Sequence, residues 1–214
     1  MAVQNQMLNQ FDYDWAYSSK VSILFGIFAV VAAVGWMVSM MLTAIHLFAL
    51  PAIPAGSDAL TQGSISVITS PWAYVFGIPL ATLGGVYYLS TVALSLWWFD
   101  TRHPLIIKIL TPITATGVLF SAYFVYLQLG VIGNICPFCM VSASATVILF
   151  GLELGMLRLS DTPSLSAMIA DLGHLVAETN YAVVAIPVLV GVLTIAGLFA
   201  IPMLPMPEVI PFID

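Results

Sequence analysis

The chain has 214 residues, of which 61% are hydrophobic and only 7% are charged. A soluble domain carries about 25% charged residues, so this composition excludes a soluble globular protein and gives an integral membrane protein. The formal net charge of −6 argues against nucleic acid as a partner, which needs basic patches, and lends no support to docking on acidic lipid. The length allows one helical bundle and no second sizeable soluble domain.

In chain order, residues 1–20 are polar and aromatic, with Lys20 as their single cation. The first apolar run covers about 21–50; it is too long for a signal-peptide core and lacks a strongly basic start, so it reads as a retained membrane helix. A polar connection follows over 51–70, in which Ser57 can cap a short helical segment before Gly63. Ser70-Pro71 reads as an N-cap with proline at the first helical position, which opens a second span over about 71–99. After a polar turn at 100–104, a third span covers about 105–131 and breaks at Gly133-Asn134. A fourth covers about 137–157. Residues 159–180 are of mixed polarity and read as a connector with an amphipathic helix along the interface. A fifth span covers 181–203, with Pro187 as a kink, before an acidic tail over 204–214.

The basic residues are Lys20, Arg102, Lys108 and Arg158. With five spans and a cytoplasmic N-terminus, all of them fall at cytoplasmic ends, as the positive-inside rule requires. The 51–70 loop and the segment Cys136-Pro137-Phe138-Cys139 then share the outer face of the cell membrane, the side on which disulfides are made.

Cys136 and Cys139 are the only two cysteines in the chain. Two thiols cannot complete a tetrahedral zinc site, but at this spacing they can close a disulfide with each other. Pro137 favours the first turn of the fourth helix, which puts Cys136 near the N-cap and Cys139 one turn deeper. Unpaired N–H groups and the helix dipole there favour thiolate, the attacking species in thiol exchange. Cys136, at the water-facing end, is expected to exchange with an incoming thiol. Cys139 is expected to face a lipid-soluble electron acceptor, for which a membrane quinone is the natural candidate. The competing readings are a pair of small buried cysteines packing as hydrophobes, and a non-catalytic scaffold or carrier stapled by a structural Cys136–Cys139 bridge.

The segment 64–79 (SISVITSPWAYVFGIP), then Gly84-Gly85-Val86-Tyr87-Tyr88, then Cys136-Pro137-Phe138-Cys139, together resemble the vitamin K epoxide reductase family in its bacterial and archaeal branch, over about 21–158. The resemblance implies an all-α polytopic membrane protein: a four-helix bundle over 21–158 around a quinone, a capping loop over 51–70, and a further membrane helix. It implies a membrane thiol:quinone oxidoreductase that forms disulfides in exported proteins. Cys139 would contact the quinone, Cys136 would exchange disulfides, and Ser70 matches the family's serine near the active site.

The chain departs from that family's pattern in its outer loop, which usually carries a second cysteine pair that relays electrons from the partner. Here Ser64 stands at the position of the second loop cysteine, and Ser57 near that of the first. Two explanations fit: replacement of both cysteines by serine, which fixes one redox state, or a chain that takes electrons directly from a soluble partner. A second departure concerns the substrate. The asparagine and tyrosine that bind the vitamin K carbonyls in vertebrate members fall on Ala73 and Ala143, neither of which can donate a hydrogen bond. The expected acceptor is therefore a respiratory quinone, menaquinone or ubiquinone. Bacterial members often continue from the fifth helix into a fused thioredoxin-like domain; this chain stops shortly after it, so the partner is expected to be a separate thioredoxin-like protein outside the membrane. Nothing in a closed bundle requires more than a monomer.

Trp72 and Phe76, and with less force Tyr74, Tyr87 and Tyr88, are candidates to line a quinone pocket, against the alternative of an interfacial aromatic belt. His46, near the outer end of the first span, reads as structural more readily than as a proton donor. Glu153, near Arg158, reads as a solvated acid at the cytoplasmic end of the fourth span.

Overall fold

The structure is a computed structural model and describes residues 19–48, 59–160 and 165–200. The described residues form eight helices: α1 Ser19–Phe48, α2 Ala59–Ile68, α3 Leu80–Thr101, α4 Leu105–Tyr126, α5 Pro137–Leu159, α6 Leu165–Ala170, α7 Leu172–Glu178 and α8 Tyr181–Ala200. Among them α1, α3, α5 and α4 with its extension to Ile132 are each long and apolar enough to cross a membrane. The protein is thus an all-α polytopic membrane protein. The fifth apolar helix, α8, lies against α3.

In the bundle α1 packs on α3 and α5, and α4 packs on α5. Its core is aromatic at one end: Phe25 stacks on Trp98 with ring centroids 3.8 Å apart, and the Arg102 guanidinium lies over Trp98 at 4.5 Å. Arg102 also donates to the Ser22 hydroxyl at 2.8 Å, which ties the start of α1 to the end of α3. Large side chains such as Ile23, Val30, Leu119 and Val147 point outward, as a lipid-facing surface requires.

The second span starts later than the sequence suggests. Pro71–Ala73 is a single 3₁₀ turn, and Tyr74–Val75 (β1) pairs antiparallel with Ile78–Pro79 (β2). Phe76 and Gly77 both take positive φ, 51° and 78°, as a two-residue hairpin turn demands. Helix α3 begins only at Leu80. The apolar run hides this, because an apolar hairpin and a helix start have the same composition. Ser70 precedes the 3₁₀ turn with Pro71 behind it, yet its hydroxyl does not cap; it donates back to the Val67 carbonyl at 2.7 Å.

Helix α2 runs through Gly63 rather than ending before it. Gly63 lies so close to the chain ahead of α5 that a β-carbon there would stand 2.5 Å from the Ile135 carbonyl oxygen. That approach clamps α2 over the start of α5. Helix α4 widens into a π-helical turn at Leu127–Ile132, closed by Gly133 at φ 69°. The connector after α5 forms α6 and α7, whose Met168 and Leu175 pack on Leu105. His103 Nε2 stands 3.4 Å from the Asp171 carboxylate, and Trp97 donates to Thr179 at 2.9 Å. Glu153 is fully buried rather than solvated; one of its oxygens accepts from the Thr111 hydroxyl at 2.5 Å.

Candidate functional site

Cys136 is the N-cap of α5 and Pro137 its first residue. The cap is made by sulfur: the Cys139 N–H donates to Cys136 Sγ at 3.3 Å. The two sulfurs are 2.7 Å apart, both cysteines are free, and the Cys139 thiol donates to Cys136. These contacts favour the anion on Cys136. The Cys139 thiol foremost, then the Cys139 backbone N–H, the Ser64 hydroxyl and the Phe138 backbone N–H, together hold the Cys136 thiol down to about 6 against the opposing effect of burial. The pair is therefore polarised, with thiolate character on Cys136 and the proton on Cys139.

Cys136 is not at a water-facing end. It is fully buried among Leu42, Val67, Ile68 and Ile132, beneath α2. The sequence places it at the mouth of the helix, and it is there, but the clamp at Gly63 closes α2 over it. Ser64, itself buried, touches the Cys136 sulfur through its hydroxyl. Ser57 and the His46 side chain lie outside what the structure describes.

On the other side of the pair lies a cavity of about 670 Å³ between α3, α4 and α5, roofed by α2 and the hairpin. Its size falls in the usual range for small-molecule sites. Cys139 is on its wall, as are Ser70, Trp72, Ala73 and Ala143. Cys136 and Ser64 are not among its lining residues. Phe76 is not there either: it sits at the hairpin tip, fully exposed, because the turn carries its side chain away from the bundle. Tyr74 is also exposed and outside the cavity, whereas Tyr87 and Tyr88 line it.

Gln128 is a functional candidate that sequence reasoning passed over. It is buried in the π turn of α4, lines the cavity, and accepts the Cys136 backbone N–H at 2.8 Å. The available signal was a lone glutamine inside an apolar span, where an unpaired amide is costly. Tyr88 is a second: its hydroxyl meets the Ser142 carbonyl, the Ser142 hydroxyl and the Thr146 hydroxyl at 2.5, 3.0 and 2.8 Å.

The cavity suits a flat, mostly apolar molecule: its walls are aliphatic and aromatic, with a few polar groups and one thiol. The sequence matches the vitamin K epoxide reductase family over residues 26–154, a stretch that contains the cavity and both cysteines. No curated protein matches the chain. Members of this family are membrane oxidoreductases that act on thiols and quinones. With more than half its length matched, the chain belongs to the vitamin K epoxide reductase family.

Proposed function

We propose that the protein is a membrane thiol:quinone oxidoreductase that moves electrons from thiols on the outer face of the cell membrane to a respiratory quinone through Cys136 and Cys139. The observation that carries this reading is the position of Cys139, which joins the sulfur of Cys136 on one side to the cavity wall on the other. The orientation rests on Lys20, Arg102, Lys108 and Arg158, all at the end of the bundle opposite the cysteines.

In the oxidised chain Cys136 and Cys139 form one disulfide. An incoming thiolate attacks Cys136 Sγ, the S–S bond breaks, and Cys139 leaves as thiolate at the cavity wall. A second thiolate from the donor then releases Cys136, which the Cys139 thiol, the Ser64 hydroxyl and the backbone N–H groups stabilise as an anion. When bound, a menaquinone or ubiquinone accepts two electrons and two protons, which restores the disulfide. The apolar walls exclude water from Cys139 while this occurs.

The donor is a thioredoxin-like protein, and its electrons enter from the side of α2. Because α2 covers Cys136, a protein thiol reaches it either through a relay cysteine at the Ser64 position or after α2 lifts. With serine at 64, protein dithiols are poor donors for this chain.

A single-turnover experiment tests the proposal. The purified, reduced chain holds two alkylatable thiols; one equivalent of menadione is expected to remove both and yield one equivalent of quinol. Thiols that persist in the presence of bound quinone would show that the pair does not pass electrons to it and would contradict the reading.

A further inference from the structure

Glu153 is fully buried in the half of α5 away from the cysteines, and the thiol chemistry does not use it. An acid inside a membrane span is costly and points to a function. Its Oε2 has no hydrogen-bond partner, and its Oε1 accepts from the Thr111 hydroxyl at 2.5 Å. That hydroxyl has a second acceptor within reach, the Ile107 carbonyl at 3.3 Å. With one hydrogen to give, Thr111 donates to the carboxylate while Glu153 is charged. When Glu153 gains a proton, the Thr111 hydroxyl can turn to Ile107 and accept from the acid instead. The pair therefore serves both protonation states without repacking.

Glu153 stands between the basic end of the bundle and the cavity. Toward that end the Lys108 ammonium, three residues before Thr111 on α4, acts on Glu153, and Arg158 follows five residues later on α5. The charged residues of the other packed helices, Lys20 on α1 and Asp100 on α3, stand at the helix ends. Toward the cavity, Thr111 is followed by Pro112, the first residue of α4 to line the cavity and thus its floor. Pro112 has no N–H, so α4 lacks the hydrogen bond to the Lys108 carbonyl at this level. Above the floor, Tyr88 Oη meets the Thr146 hydroxyl at 2.8 Å and the Ser142 hydroxyl at 3.0 Å. This row of hydroxyls ends three residues from Cys139. From Glu153 to Thr146 the rise along α5 is about 10 Å, a step that water at the cavity floor can carry, since the site is roomy and offers hydroxyl partners.

We propose that Glu153 passes protons from the basic end of the bundle into the cavity, so that the reaction moves charge across the membrane. The inference rests on the proposed thiol:quinone chemistry and adds a second product to it, a membrane potential. On the cysteine side, two donor thiols become a disulfide and release two protons and two electrons. The electrons pass through Cys136 and Cys139 to the quinone. Two protons reach it from the opposite side by way of Glu153, which gives the quinol. Each turnover removes two positive charges from the basic side and leaves two on the cysteine side.

Counting protons tests it. Vesicles that hold menaquinone and at most one full chain each are captured through a tag at the N-terminus, which selects those with the basic end outward. Dithiothreitol, which crosses the bilayer, starts turnover, and valinomycin with potassium dissipates the potential. The external medium is expected to lose two protons for each quinol formed. Glu153→Gln keeps the shape of the side chain and an acceptor for Thr111. It is expected to form quinol about 100-fold more slowly, while dithiothreitol reduces its disulfide at the full chain's rate and menaquinone stays bound. An external medium that loses no protons during turnover would overturn the inference and leave the proposed function standing, as would full-rate quinol formation by Glu153→Gln. Loss of menaquinone binding or of disulfide reduction in Glu153→Gln would make Glu153 a structural residue and overturn it as well. Absence of quinol from the full chain would overturn both.

Discussion

Gln128 and Cys136 are joined across eight residues of chain by a 2.8 Å hydrogen bond from the Cys136 backbone N–H to the glutamine side-chain oxygen. Gln128 also lines the cavity, so one side chain touches both the backbone of the buried thiolate and the chamber into which its partner cysteine opens. The π turn at Leu127–Ile132 supplies the reach; such turns are frequent at functional sites. Gln128→Leu leaves a buried N–H unpaired and is expected to lower stability by about 1–3 kcal/mol. It should also raise the pH at which Cys136 ionises, because the N-cap loses its anchor. Thermal unfolding and a thiolate titration check the two effects separately.

Ser64 stands against the Cys136 sulfur, which is where a relay cysteine would have to be. Ser64→Cys alone is expected to form a disulfide with Cys136 under mild oxidation, visible as protection of both thiols from alkylation. Ser57→Cys together with Ser64→Cys should raise turnover with a protein dithiol by about tenfold or more, since the exchange becomes intramolecular. An unchanged rate in the double variant would remove the relay assignment.

The reduced pair should titrate low. Cys136 ionises at about 6 rather than near its ordinary 9.0, chiefly because the Cys139 thiol donates to it. The native state then releases a proton that the unfolded chain keeps until higher pH. Stability of the reduced form should therefore rise between about pH 6 and pH 9, and the contribution is lost as pH falls through 6. Ultraviolet thiolate absorbance is expected to follow the same low midpoint, and Cys139→Ala should move it upward.

Thr111 and Glu153 form a buried pair at 2.5 Å, and the second Glu153 oxygen has no partner. Thr111→Val is expected to cost about 1–3 kcal/mol by removing the one donor to a buried acid. Adding Glu153→Leu should recover most of that loss, since replacing both partners by apolar groups is close to neutral. Denaturation of the two single variants and the double variant in detergent gives the coupling directly.

Much of this arrangement is legible in the chain itself. Apolar run length locates the four long helices, because a membrane demands it, and Pro137 behind Cys136 announces a helix start with sulfur at its cap. What the sequence conceals depends on tertiary packing. The hairpin ahead of α3 is apolar enough to pass for helix, so Phe76 reads as a pocket residue until its positive φ turns it outward. Cys136 reads as accessible because nothing local predicts that Gly63 brings α2 down on Ile135. Glu153 reads as solvated because its depth is set by α4 rather than by its neighbours in sequence. Ser57 and Ser64 are visible in the sequence, but the contact of Ser64 with the Cys136 sulfur is not.

Whether electrons pass from Cys139 to quinone is decided by steady-state quinol formation by the purified chain, with dithiothreitol as donor and menadione as acceptor, beside Cys139→Ala. Dithiothreitol is small enough to need no loop relay. Quinol formation is expected, and is expected to disappear in Cys139→Ala while menadione still binds. Equal rates in the two proteins, or none in either with menadione bound, would contradict it.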